Sequence, residues 1–365
     1  MIVVVGAGPA GLAIAYELQR RHLPFQVVEQ GQVGESWRHH YDRLHLHTLK
    51  GVSGLRGLPM PGDYPRFPSG AEVHAYLQVY AHHFGFSIQN GVRVEAVHPY
   101  AEGWRLETSA GNLQAEILVL TTGIWHQPYI PAFVGMDAFQ GQWLHSSRYR
   151  NAEPFRGQRV LVVGVGNSGS EIAVDLMENG VETAIAIRSG ATFVPYPTSA
   201  LAVQVAAWGV RHTPPIVAER VLRRIRREYQ DIGIPLPQKS LLTAYPVVGY
   251  QLPEAVVAGR ITRYGGVSRF TASGVVMEDG GEVKADSVIL ATGYRPALRF
   301  VTTGVAFDSL GRPRVDQQWR SVAHPRLFCV GYHYPANEGW LQAIGRVAEQ
   351  AAAGIMAAMQ GLSPG

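Results

Sequence analysis

The sequence predicts an α/β protein made of two dinucleotide-binding units, each with a small antiparallel excursion. Three observations carry this reading. A strand, a glycine fingerprint, a helix and a second strand open the chain, from Met1 to Gln30. A second such run starts at Arg159, RVLVVGVGNSGSEIAVDLM. Each unit later reaches an acid, an apolar run and a Thr-Gly ending, at Ala115 to Gly123 and at Ala285 to Gly293. An internal duplication of this size fixes an architecture better than any one motif.

Taken in order, Ile2 to Val5 is an apolar run of strand length. Gly6-x-Gly8-x-x-Gly11 follows, then Leu12, Ile14, Ala15 and Leu18 at helical spacing. Gly6 makes a tight turn, Gly8 lets the backbone approach a pyrophosphate, and Gly11 lets helix and strand pack closely. The helix start offers free N–H groups and a positive dipole end to phosphates. The strand Phe25 to Val28 ends at Glu29, placed to accept hydrogen bonds from a ribose. This is a Rossmann-like fingerprint with strand, helix, second strand and acid all present.

The next stretch holds Trp37-Arg38 and Tyr41-Asp42-Arg43-Leu44-His45-Leu46-His47-Thr48. His45 and His47 would share a strand face, but no acid sits at metal spacing, so no metal site is expected. Gly51 to Ser69, rich in Gly, Pro and apolar residues, reads as an ordered loop. Ser69 caps a helix expected over Ala71 to Phe84. Period-two strands follow at Val92 to Val94, Trp104 to Leu106 and Leu113 to Leu120.

In the second unit, Val160 to Val163 precedes Gly164-x-Gly166-x-x-Gly169. Its second strand, Thr183 to Ile187, ends at Arg188. Glu29 lies 23 residues past Gly6, and Arg188 lies 24 past Gly164. One slot is thus negative in the first unit and positive in the second. A carboxylate suits a free ribose 2′-OH, and an arginine suits a 2′-phosphate. The first site is therefore expected to take FAD and the second NADPH; a solvated strand-end charge is the competing account of Arg188. Domain limits are expected at 1–150 with 286–365 for FAD, and at 151–285 for NADPH.

Pro195 to Pro253 is the least legible part. It contains a basic amphipathic helix, Ile216 to Tyr229, read as a solvated or inter-domain face ahead of a membrane-surface or nucleic-acid role. Arg326 to Gly331 is a last strand, and Glu338 to Met359 a long helix with Asn337 as N-cap.

Composition narrows the class. The 365 residues suit about two domains, with 46% hydrophobic and 16% charged residues. The net charge of +4 fits an anionic small ligand; no nucleic-acid partner and no stable membrane insertion are expected. The apolar N-terminus has no basic leader and carries the fingerprint, so it is not read as a signal peptide and a cytoplasmic enzyme is expected. Cys329 is the only cysteine, which excludes an internal disulfide and a redox Cys pair, and it reads as a buried apolar residue.

The pattern Phe139-x-Gly141-x-x-x-His145-x-x-x-Tyr149 resembles the FxGxxxHxxxY/F linker of flavin-containing monooxygenases. The chain is similar to this class of two-domain flavoproteins over nearly its whole length, apart from Pro195 to Pro253. Trp37-Arg38, Tyr41 to Leu44, Tyr64-Pro65 and Ala291 to Pro296 also resemble YUCCA-type and small bacterial members. The resemblance implies an oxidoreductase in which NADPH reduces FAD and a flavin C4a-hydroperoxide passes one oxygen to a small nitrogen or sulfur nucleophile, with O2 as co-substrate. The alternatives are a flavin-dependent NADPH oxidase or reductase without oxygen transfer, and a Baeyer–Villiger monooxygenase, whose related pattern ends in Trp. It also implies that Gly6, Gly8, Gly11, Glu29, Trp37 and Arg38 hold FAD. Gly164, Gly166, Asn167, Ser168, Gly169 and Arg188 would hold NADPH. His145 would organise the linker near NADPH, and the helix start near Trp340 to Gln342 would face the flavin. Many members place an Asn where this chain has His47 or Thr48. That departure implies weaker holding of the peroxide and leakage of H2O2.

Overall fold

The structure is a computed structural model that describes residues 1–365 except 200, 202–204, 206–207, 210–211, 226–232, 235, 238–239, 243–244, 297, 334–340 and 362–365. The first unit runs β1 (Ile2–Val5), α1 (Pro9–Arg20), β2 (Phe25–Val28), α2 (Gly70–Phe84) and β3 (Ile88–Gln89). Next come β4 (Val94–Tyr100), β5 (Gly103–Thr108), β6 (Gly111–Ala115) and β7 (Ile117–Leu120). The second unit contains β8 (Gln142–His145), β9 (Arg159–Val163), α3 (Asn167–Glu178) and β10 (Glu182–Ala186). It continues with α4 (Pro215–Ile225), α5 (Gln251–Val257), β11 (Thr262–Tyr264), β12 (Val267–Thr271), β13 (Gly274–Met277), β14 (Glu282–Lys284) and β15 (Ser287–Leu290). β16 (Leu327–Cys329) and α6 (Leu341–Met359) return to the first unit.

Two all-parallel sheets follow one plan. The first has the order β16-β7-β1-β2-β3 and the second β8-β15-β9-β10-β11. In both, the fingerprint strand is central, with the Thr-Gly strand on one side and the second strand on the other. The antiparallel sheets β4-β5-β6 and β12-β13-β14 sit at the same point of each unit. The expected duplication and its two excursions are therefore observed.

Parallel strands buried on both faces explain the unbroken apolar runs. Alternate residues serve the two faces. Ile2 and Val4 meet α1, α2 and α6, whereas Val3 and Val5 meet Trp104 and Leu106 of the excursion. Val160 and Val162 likewise face α3 and α5, and Leu161 and Val163 face Phe270 and Val275. The Trp104 indole, fully buried, donates to the Arg326 carbonyl at 3.0 Å and ties β5 to the strand beneath.

Two expectations are adjusted, and a third lies partly outside the described residues. Leu113 to Leu120, read as one strand, is two: the chain turns at Glu116 from the antiparallel excursion into the parallel sheet. The strands β8 and β15, expected at the end of 1–150 and the start of 286–365, both lie in the second sheet. The apolar period that marks a strand does not say which sheet it joins. The basic helix is described over Pro215–Ile225, and its expected end at Tyr229, with Arg226 and Arg227, lies outside the described residues. Cys329 is fully buried as expected, and burial pushes its thiol up to about 12. No described helix is long and apolar enough to cross a membrane.

Candidate active site

The first fingerprint makes its turn as the glycines require. Gly6 has φ +108°, which favours glycine, and a Cβ on Gly11 would lie 1.9 Å from the Gly6 carbonyl oxygen. Above Gly8 there is open space: a Cβ there would meet nothing within 4 Å. The Thr121 hydroxyl at the end of β7 donates to the Val5 and Gly6 carbonyls at 2.7 and 2.9 Å, pinning the turn. Glu29 accepts from the Ala7 N–H at 2.7 Å through one oxygen and from the Gly31 N–H at 2.9 Å through the other. Each oxygen keeps further lone pairs for ribose hydroxyls.

The second turn repeats this cradle. Gly164 has φ +109°, a Cβ on Gly169 would lie 2.1 Å from the Gly164 oxygen, and Gly166 faces open space. Arg188, just past β10, is exposed and makes no hydrogen bond or ion pair among the described residues. A free cation at this slot fits a 2′-phosphate. The Asn167 side chain is engaged within the protein. Its side chain donates to the Pro246 carbonyl at 3.2 Å and accepts from the Val248 N–H at 2.9 Å, so it holds a neighbouring loop. The Ser168 hydroxyl lies beside the Tyr41 phenol.

The short helix Glu35–Arg38 reaches the first turn through the Gly34 N–H, which donates to the Ala7 carbonyl at 3.1 Å. Trp37 packs half-buried against the first core, 5.8 Å from the His40 ring. Arg38 is exposed at 4.0 Å from Glu35. Gln342 lies in the first turn of α6, while Trp340 and Asn337 lie outside the described residues.

His145 ends β8 and is 3% exposed. Its Nδ1 accepts from the Ser147 N–H at 3.1 Å, which leaves Nε2 to donate to the Gly293 carbonyl at 2.9 Å. Burial lowers its pKa, so the neutral ring with one donor and one acceptor is the form that fits. It fastens the linker strand to the second Thr-Gly end, where Tyr294–Arg295 pairs antiparallel with Gln127–Pro128. Both ring nitrogens are thus engaged, and none is left over to move a proton.

Thr48 shares a hydrogen bond of 2.7 Å with the buried Ser53 hydroxyl and so staples its own loop. His47 is engaged elsewhere: its Nε2 pairs with Glu171 on α3. The Tyr41 phenol donates to the other Glu171 oxygen. Burial first, then the Glu171 carboxylate, push the Tyr41 pKa well above its ordinary value. Asp175 accepts from the Tyr149 phenol and Glu178 pairs with Arg43. Glu171, Asp175 and Glu178 occupy one face of α3, at positions i, i+4 and i+7. Sequence reasoning missed them; acids at this spacing directly after the second fingerprint were the available signal.

Between the units lies a cavity of about 550 Å³ lined by Arg66, Phe67, Glu171, Tyr196 and Leu252, among others. Phe67 and Tyr196 meet edge to face, 5.2 Å between ring centres. Arg66 donates to the Pro197 carbonyl at 3.1 Å and pairs with no carboxylate among the described residues.

Residues 3–207 match the family described as pyridine nucleotide-disulphide oxidoreductase. The chain is 36% identical over 309 residues to indole-3-pyruvate monooxygenase YUCCA1 of Oryza sativa subsp. japonica, covering 80% of this chain and 76% of that one. Among solved structures it is similar to a flavin-containing monooxygenase from Stenotrophomonas maltophilia. That match has 26% identity, a TM-score of 0.78, and 98% of each chain covered. A steroid monooxygenase bound to NADP, 20% identical with a TM-score of 0.74, covers 98% of this chain and 84% of its own, and shares the fold.

Proposed function

Because the chain belongs to the flavin monooxygenase family, within the pyridine nucleotide-disulphide oxidoreductases, we propose that it uses NADPH and FAD to place one oxygen atom of O2 on a small organic substrate. The observation that carries this reading is the pair of dinucleotide turns with opposite charges at one slot. Glu29 stands beside the first, and Arg188, unpaired among the described residues, beside the second. FAD would lie over Gly8 with its ribose on Glu29, and NADPH over Gly166 with its 2′-phosphate on Arg188. The FAD unit is then the one built on the first sheet, and the NADPH unit the one built on the second.

Bound flavin, reduced by NADPH, supplies the oxygen-activating chemistry. The chain's own groups bind, orient and exclude water. The first turns of α1 and α3 leave N–H groups without helical partners, beside the open space over Gly8 and Gly166. His145, neutral and saturated with hydrogen bonds, holds the linker to the second Thr-Gly end. The buried Tyr41 and Tyr149 fasten their segments to α3 through Glu171 and Asp175.

For the substrate, the reading is a small nitrogen or sulfur nucleophile. A second reading has its own observation. The relatives named above include an indole-3-pyruvate monooxygenase. The cavity combines two aromatic rings with Arg66, a cation without a carboxylate partner among the described residues, which favours an aromatic 2-oxo acid. The test is product analysis under isotopically labelled O2 with NADPH and a panel of amines, sulfides and aromatic 2-oxo acids. Label in an organic product, in proportion to NADPH consumed, is expected. NADPH consumption matched by H2O2, with no labelled organic product, would overturn the proposal in favour of an oxidase.

A further inference from the structure

The acidic face of α3 does more than support a helix. α3 starts at the second dinucleotide turn, so whatever fixes α3 fixes that turn. Glu171 takes Tyr41 through one oxygen and His47 through the other, across sequence separations of 130 and 124 residues. The side chains of His47 and Glu171 are 18% and 14% exposed, and Tyr41 is 6% exposed. Tyr41 also reaches Ser168, one turn earlier on the same helix. The 41–47 segment follows the first dinucleotide unit and is anchored to it: the Leu44 carbonyl accepts from the Gly70 N–H at 2.9 Å at the head of α2. Glu171 therefore joins the two dinucleotide units beside the cavity between them, next to the Glu178–Arg43 pair.

We propose that Glu171 is a positioning residue that sets the placement of the second dinucleotide turn relative to the first, by clasping Tyr41 and His47. The inference rests on the reading that both turns are loaded, with the second nucleotide delivering hydride to the first. Hydride transfer demands close approach, and a misplacement of about 1 Å can slow such a step up to ~100-fold. The binding contacts of each nucleotide lie on its own unit and stay intact. Glu171→Gln keeps the size and an acceptor for Tyr41 but removes the charge that holds His47.

The test is anaerobic rapid mixing of flavin-loaded Glu171→Gln protein with NADPH, reading the rate of flavin bleaching against NADPH concentration. A rate at saturation lower by about 10- to 100-fold is expected, with the NADPH dissociation constant changed by no more than about twofold. Combined Tyr41→Phe and His47→Gln should reproduce the defect, and adding Glu171→Gln to that pair should add little, as required of residues acting as a unit. Glu171→Asp, which keeps the charge, should recover part of the rate. A second readout needs no turnover: an exchange-protected imidazole proton signal from His47, seen by NMR in the parent and lost in Glu171→Gln. An unchanged saturating rate would overturn the proposal. So would a parallel fall in rate, affinity and melting temperature, which marks a structural role alone. Anaerobic bleaching does not involve O2, so failure of the oxygenase reading is seen separately, in the product analysis.

Discussion

At the scale of single residues, the glycines behave as their local chemistry requires. Gly6 and Gly164 have nearly the same positive φ, and the Cβ sites on Gly11 and Gly169 are blocked by backbone oxygens. These are local constraints, so they were legible in sequence. Arg188 yields a prediction of its own. Charge-assisted hydrogen bonds are worth about 1.5–3 kcal/mol, or roughly 10- to 100-fold in binding. Arg188→Ala should raise the KM for NADPH by about that factor and leave the KM for NADH as it was. Steady-state kinetics with both nucleotides checks this, and equal changes for both would remove Arg188 from the 2′-phosphate site. Asn167 and His47 were legible as residues of interest but not in their roles. Their partners, Pro246 with Val248 and Glu171, are 79 to 124 residues away in sequence.

At the scale of elements, the repeated acid before each Thr-Gly strand has one job in both units. Glu116 donates its N–H to the Met1 carbonyl and Asp286 to the Arg159 carbonyl, each 2.9 Å, beside the fingerprint strand. In the second unit the carboxylate also answers a cation at that strand's start, the Arg159 guanidinium at 2.7 Å. The Arg159 side-chain hydrogen bonds, then its N–H, hold the Asp286 carboxyl at about 2, below the ordinary 3.8. A carboxyl depressed in the folded state stabilises in full above the unfolded value, and that contribution is lost as pH falls through the folded one. The Asp286–Arg159 contribution is therefore complete above 3.8 and fades towards 2. Asp286→Asn should lower the melting temperature at neutral pH, and the gap from the parent should close over that acid window. A gap that does not change with pH would show that the pair contributes nothing through charge. The pair is well exposed, so a small shift is expected.

At the scale of the whole molecule, two equivalent sheets each hold one dinucleotide turn. FAD bound to the folded state alone should stabilise it by mass action, by about 2.7 kcal/mol at a hundredfold excess over its dissociation constant. Thermal unfolding of flavin-stripped protein with added FAD should show a rise of several degrees that grows with FAD concentration. No rise with FAD would count against the first turn as its site. An equal rise in Glu29→Ala would count against Glu29 as a ribose partner.

The sequence by itself determined the two fingerprint turns, their strands and helices, the opposite charges at Glu29 and Arg188, and the doubling of the whole plan. These rest on local backbone geometry and on apolar periodicity, which neighbouring residues carry. The tertiary structure alone decided which sheet receives Gln142–His145 and Ser287–Leu290. It also decided that His145 is spent on Gly293 and that Glu171 gathers Tyr41 and His47. Those outcomes depend on groups that only folding brings within hydrogen-bonding distance. A carboxylate on a helix face has no fixed meaning until the segment opposite it is known.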